Sequence, residues 1–142
     1  MTKQVLDRLQ MRHLKELGIS ANNASAYWHR VVRMNTNEVV TNWFVSFSEP
    51  SPCLATMKVE SIKTYTLQDI LDVLPKEMTD KDGYKFVLKI EYGLLSRVWH
   101  IGYYYYDVAS TGNLYSGDNL IDTVYKMLCW CIEKGYLKVD KA

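Results

Sequence analysis

The chain has no apolar run long enough to cross a bilayer as a helix, so no helical membrane anchor is expected. It has only three cysteines, an odd number without framework spacing, which predicts free thiols in a reducing compartment. No HExxH, GxSxG or P-loop pattern occurs, which leaves the signatures of common zinc proteases, serine hydrolases and nucleotide binders unfilled. A strong charge of one sign is missing too. Lys and Arg number 17 against 16 Asp and Glu, a net charge of +1, which argues against a dedicated nucleic-acid binder. The first ten residues are amphipathic and charged throughout, so a signal peptide is not expected and the predicted location is cytoplasmic.

Charge is not spread evenly. Residues 1–65 carry 8 Lys and Arg against 5 Asp and Glu, and residues 66–142 carry 9 against 11. Aromatics are plentiful, with 11 tyrosines and 4 tryptophans, as befits either a core or a contact surface. A chain of 142 residues fits one domain with a sizeable core, so residues 1–142 are expected to form a single domain.

The strongest signal is the stretch Ser116 to Tyr136. Leu120, Val124, Leu128 and Cys131 share a stripe, with Ile121, Tyr125 and Ile132 beside it, at the spacing of a buried helix face. Either Asp118 or Asn119 suits the cap; with Asn119 there, Asp122 falls at the third helical position, where negative charge is favoured. Gly135 suits the helix stop. Trp130, Met127 and Cys129 lie off the stripe, so this helix should be covered on most sides.

A first helix is predicted over Thr2 to Leu17, capped by Thr2, with Val5, Leu6, Leu9, Leu14 and Leu17 on its apolar face. Gly18 ends it, with Ile19 turning back on Leu14. Ala26 to Met34 and the alternating Val39 to Phe47 predict a hairpin across Asn35-Thr36-Asn37. Residues 48–56 hold two of the three prolines and read as a loop, followed by a short edge strand over Met57 to Lys63. Thr66 and Asp69 resemble a capping box for a second helix whose Leu67, Ile70, Leu71 and Leu74 repeat at helical spacing up to Pro75. Lys76 to Gly83 reads as a charged loop. Tyr84 to Tyr92 alternates cleanly, and Arg97 to Tyr106 is its partner across a turn at Gly93 to Ser96. A short strand is expected at Leu114-Tyr115. The expected fold is α+β: an antiparallel sheet of about four strands in two hairpins, packed by three helices in the order α-ββ-α-ββ-α.

Chemistry-bearing residues are sparse. Cys129-Trp130-Cys131 suggests a metal or redox motif, but helical residues two apart point about 200° away from each other. With no second ligand pair, a buried structural role is expected. His13, His29 and His100 lie on a predicted helix and two predicted strands; Cys53, between prolines, or a helical cysteine would need one of them beside it to serve as a nucleophile. Asp80, Asp82 and Gly83 fail as a calcium loop, since that register puts Met78 and Lys89 where carboxylates belong. No catalytic residue, metal ligand or cofactor is therefore expected.

The run Gly102-Tyr103-Tyr104-Tyr105-Tyr106 is the most unusual feature. Trp99, Ile101, Tyr103 and Tyr105 should face the core, and Val98, His100, Tyr104 and Tyr106 the other side. His100, Tyr104 and Tyr106 are the candidate interaction surface. Its occupant would be a protein partner or a second copy of the chain; single-stranded nucleic acid is the alternative, by stacking on the aromatic face.

Three blocks together, MRHLKELGIS with NASAYW, TYTLQDILDVLPKEM and NLIDTVYKMLCWCIEKGYLK, resemble small proteins of Bacteroides-type gut bacteria, many of them encoded in phages or prophages. That resemblance implies origin and fold kinship, and carries no catalytic residue. The strand pair Tyr84–Tyr106 followed by a helix opening at Gly117-Asp118-Asn119-Leu120 is also similar in shape to HicB-type antitoxins, although the connection is longer and no DNA-binding segment follows Tyr136. The function expected is that of a non-catalytic phage- or prophage-derived accessory protein acting by protein contact, with an antitoxin-like or nucleic-acid-binding module as the alternative.

Overall fold

The computed structural model describes residues 3–49, 56–105, 108–109 and 114–137. The element order is α1 (Arg8–Glu16), β1 (Ala26–Arg33), β2 (Phe44–Ser46), β3 (Met57–Thr64), α2 (Leu67–Val73), β4 (Glu77–Thr79), β5 (Lys85–Tyr92), β6 (Trp99–Tyr105), β7 (Val108–Ala109), β8 (Tyr115–Gly117) and α3 (Leu120–Glu133). The class is α+β. The strands divide into two antiparallel sheets, one ordered β2-β1-β3 and the other β4-β5-β6-β7 with β8 also on β6. Among the described residues no helix is long and apolar enough to cross a membrane.

The second sheet follows its alternation. Phe86, Leu88 and Ile90 of β5 are half-buried, while Lys85, Val87 and Lys89 between them are exposed. On β6, Ile101 and Tyr103 are buried against α3. α3 is covered nearly all round, with Ile121, Val124, Met127, Leu128, Cys131 and Ile132 all buried. Asn119 is the cap, accepting a hydrogen bond from the Asp122 N–H at 3.2 Å. At the other end Gly135, at φ 78°, lets the Tyr136 N–H reach the Cys131 carbonyl at 2.9 Å. The core thus gathers around α3, which packs with Ile101 and Tyr103 of β6 and with Leu6, Met11, Leu14, Tyr65, Ile70 and Leu74.

The first helix is shorter than its apolar pattern predicts. Asp7, not Thr2, caps it: the Gln10 N–H donates to Asp7 Oδ1 at 2.8 Å and the Asp7 N–H to Gln10 Oε1 at 3.0 Å. Thr2 lies outside the described residues. Val5 and Leu6 are buried, but as extended chain: Val5 bridges to Thr66, and the Leu6 N–H donates to the Tyr65 carbonyl at 3.0 Å. Starting at Arg8, the helix buries Met11 and Leu14 and leaves Leu9 70% exposed. Its end matches expectation: Gly18 has φ 99° and the Ile19 N–H donates to the Leu14 carbonyl at 2.9 Å.

In the first sheet the predicted β1–β2 hairpin forms, but with a bulge. Val39 bridges Val32 and Phe44 pairs with His29, so the returning strand takes five steps where β1 takes three. The Thr41 hydroxyl accepts the Val31 N–H at 2.9 Å in place of a ladder carbonyl, which is why β2 starts only at Phe44. β3 is an eight-residue strand paired along its whole length with β1. The predicted charged loop contains β4, closed onto β5 by an Asp-Gly turn: Asp80 Oδ1 accepts the Asp82 and Tyr84 N–H groups, both at 2.9 Å, and Gly83 takes φ 86°.

α2 begins where predicted. Thr66 and Asp69 form the capping box, and Asp69 does more. Its carboxylate accepts the Ser25 N–H at 2.8 Å, the Ser25 hydroxyl at 2.5 Å and the Thr66 N–H at 2.9 Å. Ser25 precedes β1 and Thr66 follows β3, so one buried carboxylate ties both chain ends of the first sheet to α2. Burial pushes its pKa up, but the bonds from Ser25 and Thr66 outweigh this and hold it below the usual carboxylate range.

Candidate functional site

The residues singled out by sequence do not come together. His13 lies on α1, 3.9 Å from Glu16 and edge-on to Tyr125. His29 is buried in the first sheet, its Nδ1 2.7 Å from the Ser61 hydroxyl and its ring stacked on Tyr27. Cys131 is buried with its sulfur 3.6 Å from the Tyr103 hydroxyl, and burial pushes its thiol pKa up to about 11. Cys129 contacts Tyr125 instead, and burial raises its pKa too. The two sulfurs thus point to different neighbours, as the helical geometry predicts. Cys53 lies outside the described residues. Among the described residues no group of three or more His, Cys, Asp or Glu side chains is placed to hold a metal ion.

His100 and Tyr104 do lie on the outward face of β6; Tyr106 is outside the described residues. The His100 ring is held at both nitrogens, Nε2 3.0 Å from the Ser96 hydroxyl and Nδ1 2.7 Å from that of Ser116. A Cβ on Gly93 would collide with Ser96 and with this ring, which accounts for the glycine. Tyr104 is half-buried, with the Lys89 ammonium 5.2 Å above its ring. Tyr105, expected to face the core, sits at its margin instead, edge-on to Tyr84 at 5.1 Å. The lysines of this face are matched by carboxylates: Lys85 lies 3.5 Å from Glu77 and Lys89 3.6 Å from Glu91. The face is therefore nearly neutral.

A larger concavity lies elsewhere. A groove of about 1020 Å³ runs between α1, the turn after it and the end of β3. Its rim carries Arg8, Arg12, Lys15 and Lys63, with Glu16 the one acidic side chain of the lining. The first three stand at i, i+4 and i+7 on one face of α1. Its floor is apolar: Met11, Leu17, Ile19 and Ile62, the last 38% exposed. Among the described residues none of the four cations has a carboxylate within 4 Å, whereas Lys3, Arg30 and Arg33 are all ion-paired. Arg8 lies 4.7 Å over the Trp43 ring, whose other contact is Arg30 at 4.8 Å.

The positive surplus of the first 65 residues gathers on this rim. Sequence reading missed the groove because its two walls come from segments far apart in the chain. A smaller cleft of about 340 Å³ opens at the start of α3, beside Asp118, Asn119 and Asp122. Asp122 is already engaged there by Lys3 at 2.7 Å and Gln10 at 2.8 Å.

Comparison with protein-family models, curated proteins and solved structures gives no match, so any functional reading rests on this chain's own residues.

Proposed function

We propose that the chain is a non-catalytic accessory protein that acts by protein–protein contact, with the groove between α1 and β3 as its docking surface. The observation that carries this reading is the groove itself: an apolar floor under a rim of cations that have no carboxylate partner among the described residues. Desolvating the exposed parts of Leu17, Ile19 and Ile62 would supply affinity, and the rim cations orientation and speed of encounter. A phage or prophage origin, supported by the three sequence blocks described above, and a cytoplasmic setting, supported by the charged first ten residues and the odd number of cysteines, belong to the same reading. The outward face of β6 is the weaker surface, since its lysines are already neutralised. Nucleic-acid stacking on Tyr104 is weaker for the same reason.

The test is chemical cross-linking of the full chain in an extract of a Bacteroides-type bacterium. Lys15 and Lys63 are expected to give the inter-protein cross-links, and an Arg12→Glu/Lys15→Glu variant to lose those from Lys63. Cross-links concentrated on Lys85 and Lys89 would move the docking surface to the second sheet. Cross-links only to other copies of the chain would reduce the partner to self.

A further inference from the structure

We infer that the partner segment seated in this groove is an acidic amphipathic peptide of another protein. The inference rests on the docking reading above and adds the chemistry of the occupant. Along α1, Arg8, Arg12 and Lys15 span about 10 Å at 1.5 Å per residue. A helical segment lying beside α1 presents carboxylates at the same spacing when Asp or Glu recur at i, i+4 and i+7. The neighbouring stripe of that segment then faces Met11, Ile19 and Ile62, so it must be apolar. Both requirements together describe an acidic face next to an apolar one.

The alternative polyanion, a nucleic acid, fits less well on three counts. The floor offers hydrocarbon where sugars and phosphates need donors. Trp43, beside Arg8, has guanidinium groups within 5 Å from both Arg8 and Arg30, so it is not open for a base to stack on. The whole chain carries a net charge of only +1, too little to hold a long polyanion without a specific fit.

The experiment is selection of random 16-residue peptides displayed on phage, against the intact chain and against its Arg12→Glu/Lys15→Glu variant. Both side chains are exposed and without a carboxylate partner among the described residues, so the variant should keep the wild-type circular dichroism, with a melting temperature lowered by no more than a few degrees by the added carboxylates in the last turn of α1. The intact chain is expected to enrich peptides with Asp or Glu on one helical face and Leu, Ile or Phe beside it. The variant should bind those peptides about ten-fold or more weakly and enrich basic ones. Enrichment of neutral or basic peptides by the intact chain overturns the inference, as does equal binding of acidic peptides by both proteins. Displacement of the peptide by a single-stranded oligonucleotide at equal concentration would assign the groove to nucleic acid. Amide shift mapping separates the two levels of failure. Selected peptides that dock around Tyr104 leave the contact reading standing and remove the groove; no enrichment at all removes both.

Discussion

Asp69 is the sharpest place to perturb the fold, because one side chain holds three segments. Replacing it with alanine leaves the Ser25 and Thr66 N–H groups without their acceptor beneath the first sheet. Ser25 is exposed and Thr66 half-buried, so water can replace part of what is lost, and Asp69→Ala should cost about 2–3 kcal/mol in total. That is a large part of the 5–15 kcal/mol typical of a domain. Asp69→Asn should be milder, at about 1–2 kcal/mol. Its amide oxygen can still accept both N–H groups, and the Ser25 hydroxyl can rotate to accept from the amide nitrogen.

The pH dependence follows from the depressed folded pKa of Asp69. A carboxyl of this kind contributes stability that is complete above its unfolded value, about 3.9, and is lost as pH falls through the lower folded value. Urea denaturation at pH 7 and pH 3 reads both effects. The gap between wild type and Asp69→Asn should be full at pH 7 and smaller at pH 3. An Asp69→Ala protein within about 0.5 kcal/mol of wild type, or a gap unchanged between the two pH values, would refute the reasoning.

Three further outcomes follow from the packing. Leu128→Ala, at a fully buried position of α3, should cost about 3 kcal/mol, while Leu9→Ala on the exposed side of α1 should stay within about 0.5 kcal/mol; urea midpoints check both, and the reverse order would contradict the observed phase of α1. Cys131, neutral up to a pKa of about 11, should react with a thiol reagent at pH 8 only on unfolding, as followed by absorbance and peptide mapping; rapid labelling of the native protein would contradict its burial. Gly117→Ala places a Cβ 2.6 Å from the Thr123 hydroxyl oxygen, which is held at 2.7 Å to the Asn119 carbonyl, and should cost about 1–3 kcal/mol. Adding Thr123→Ala should return part of that loss in a double-mutant cycle measured by denaturation; strictly additive losses would show that the two residues do not clash.

The parts of the fold that could be read from sequence are those decided locally. Gly18 and Gly135 end helices because only a residue without Cβ enters the left-handed region cheaply, and Thr66 with Asp69 starts one because the two side chains satisfy each other's N–H groups. The clean alternation of Tyr84 to Tyr92 placed the faces of β5 correctly. The misreadings are tertiary. Val5 and Leu6 have helical spacing with Leu9, but pairing with Tyr65 and Thr66 draws them out as extended chain. The Thr41 hydroxyl ends a ladder that alternation alone would continue. The charges of β4 hid a strand that only its turn betrays. The groove was out of reach in the same way, although its trace was present as the basic excess of the first 65 residues.

The most direct test of the docking claim is the affinity of an acidic amphipathic peptide for the intact chain and for Arg12→Glu/Lys15→Glu, followed by fluorescence anisotropy as salt is raised. If the groove cations face the partner, the intact chain binds about ten-fold or more tightly at low salt, and the difference narrows as the Debye length falls to about 3 Å at 1 M. Equal affinities at low salt, or a difference that salt leaves unchanged, would contradict it.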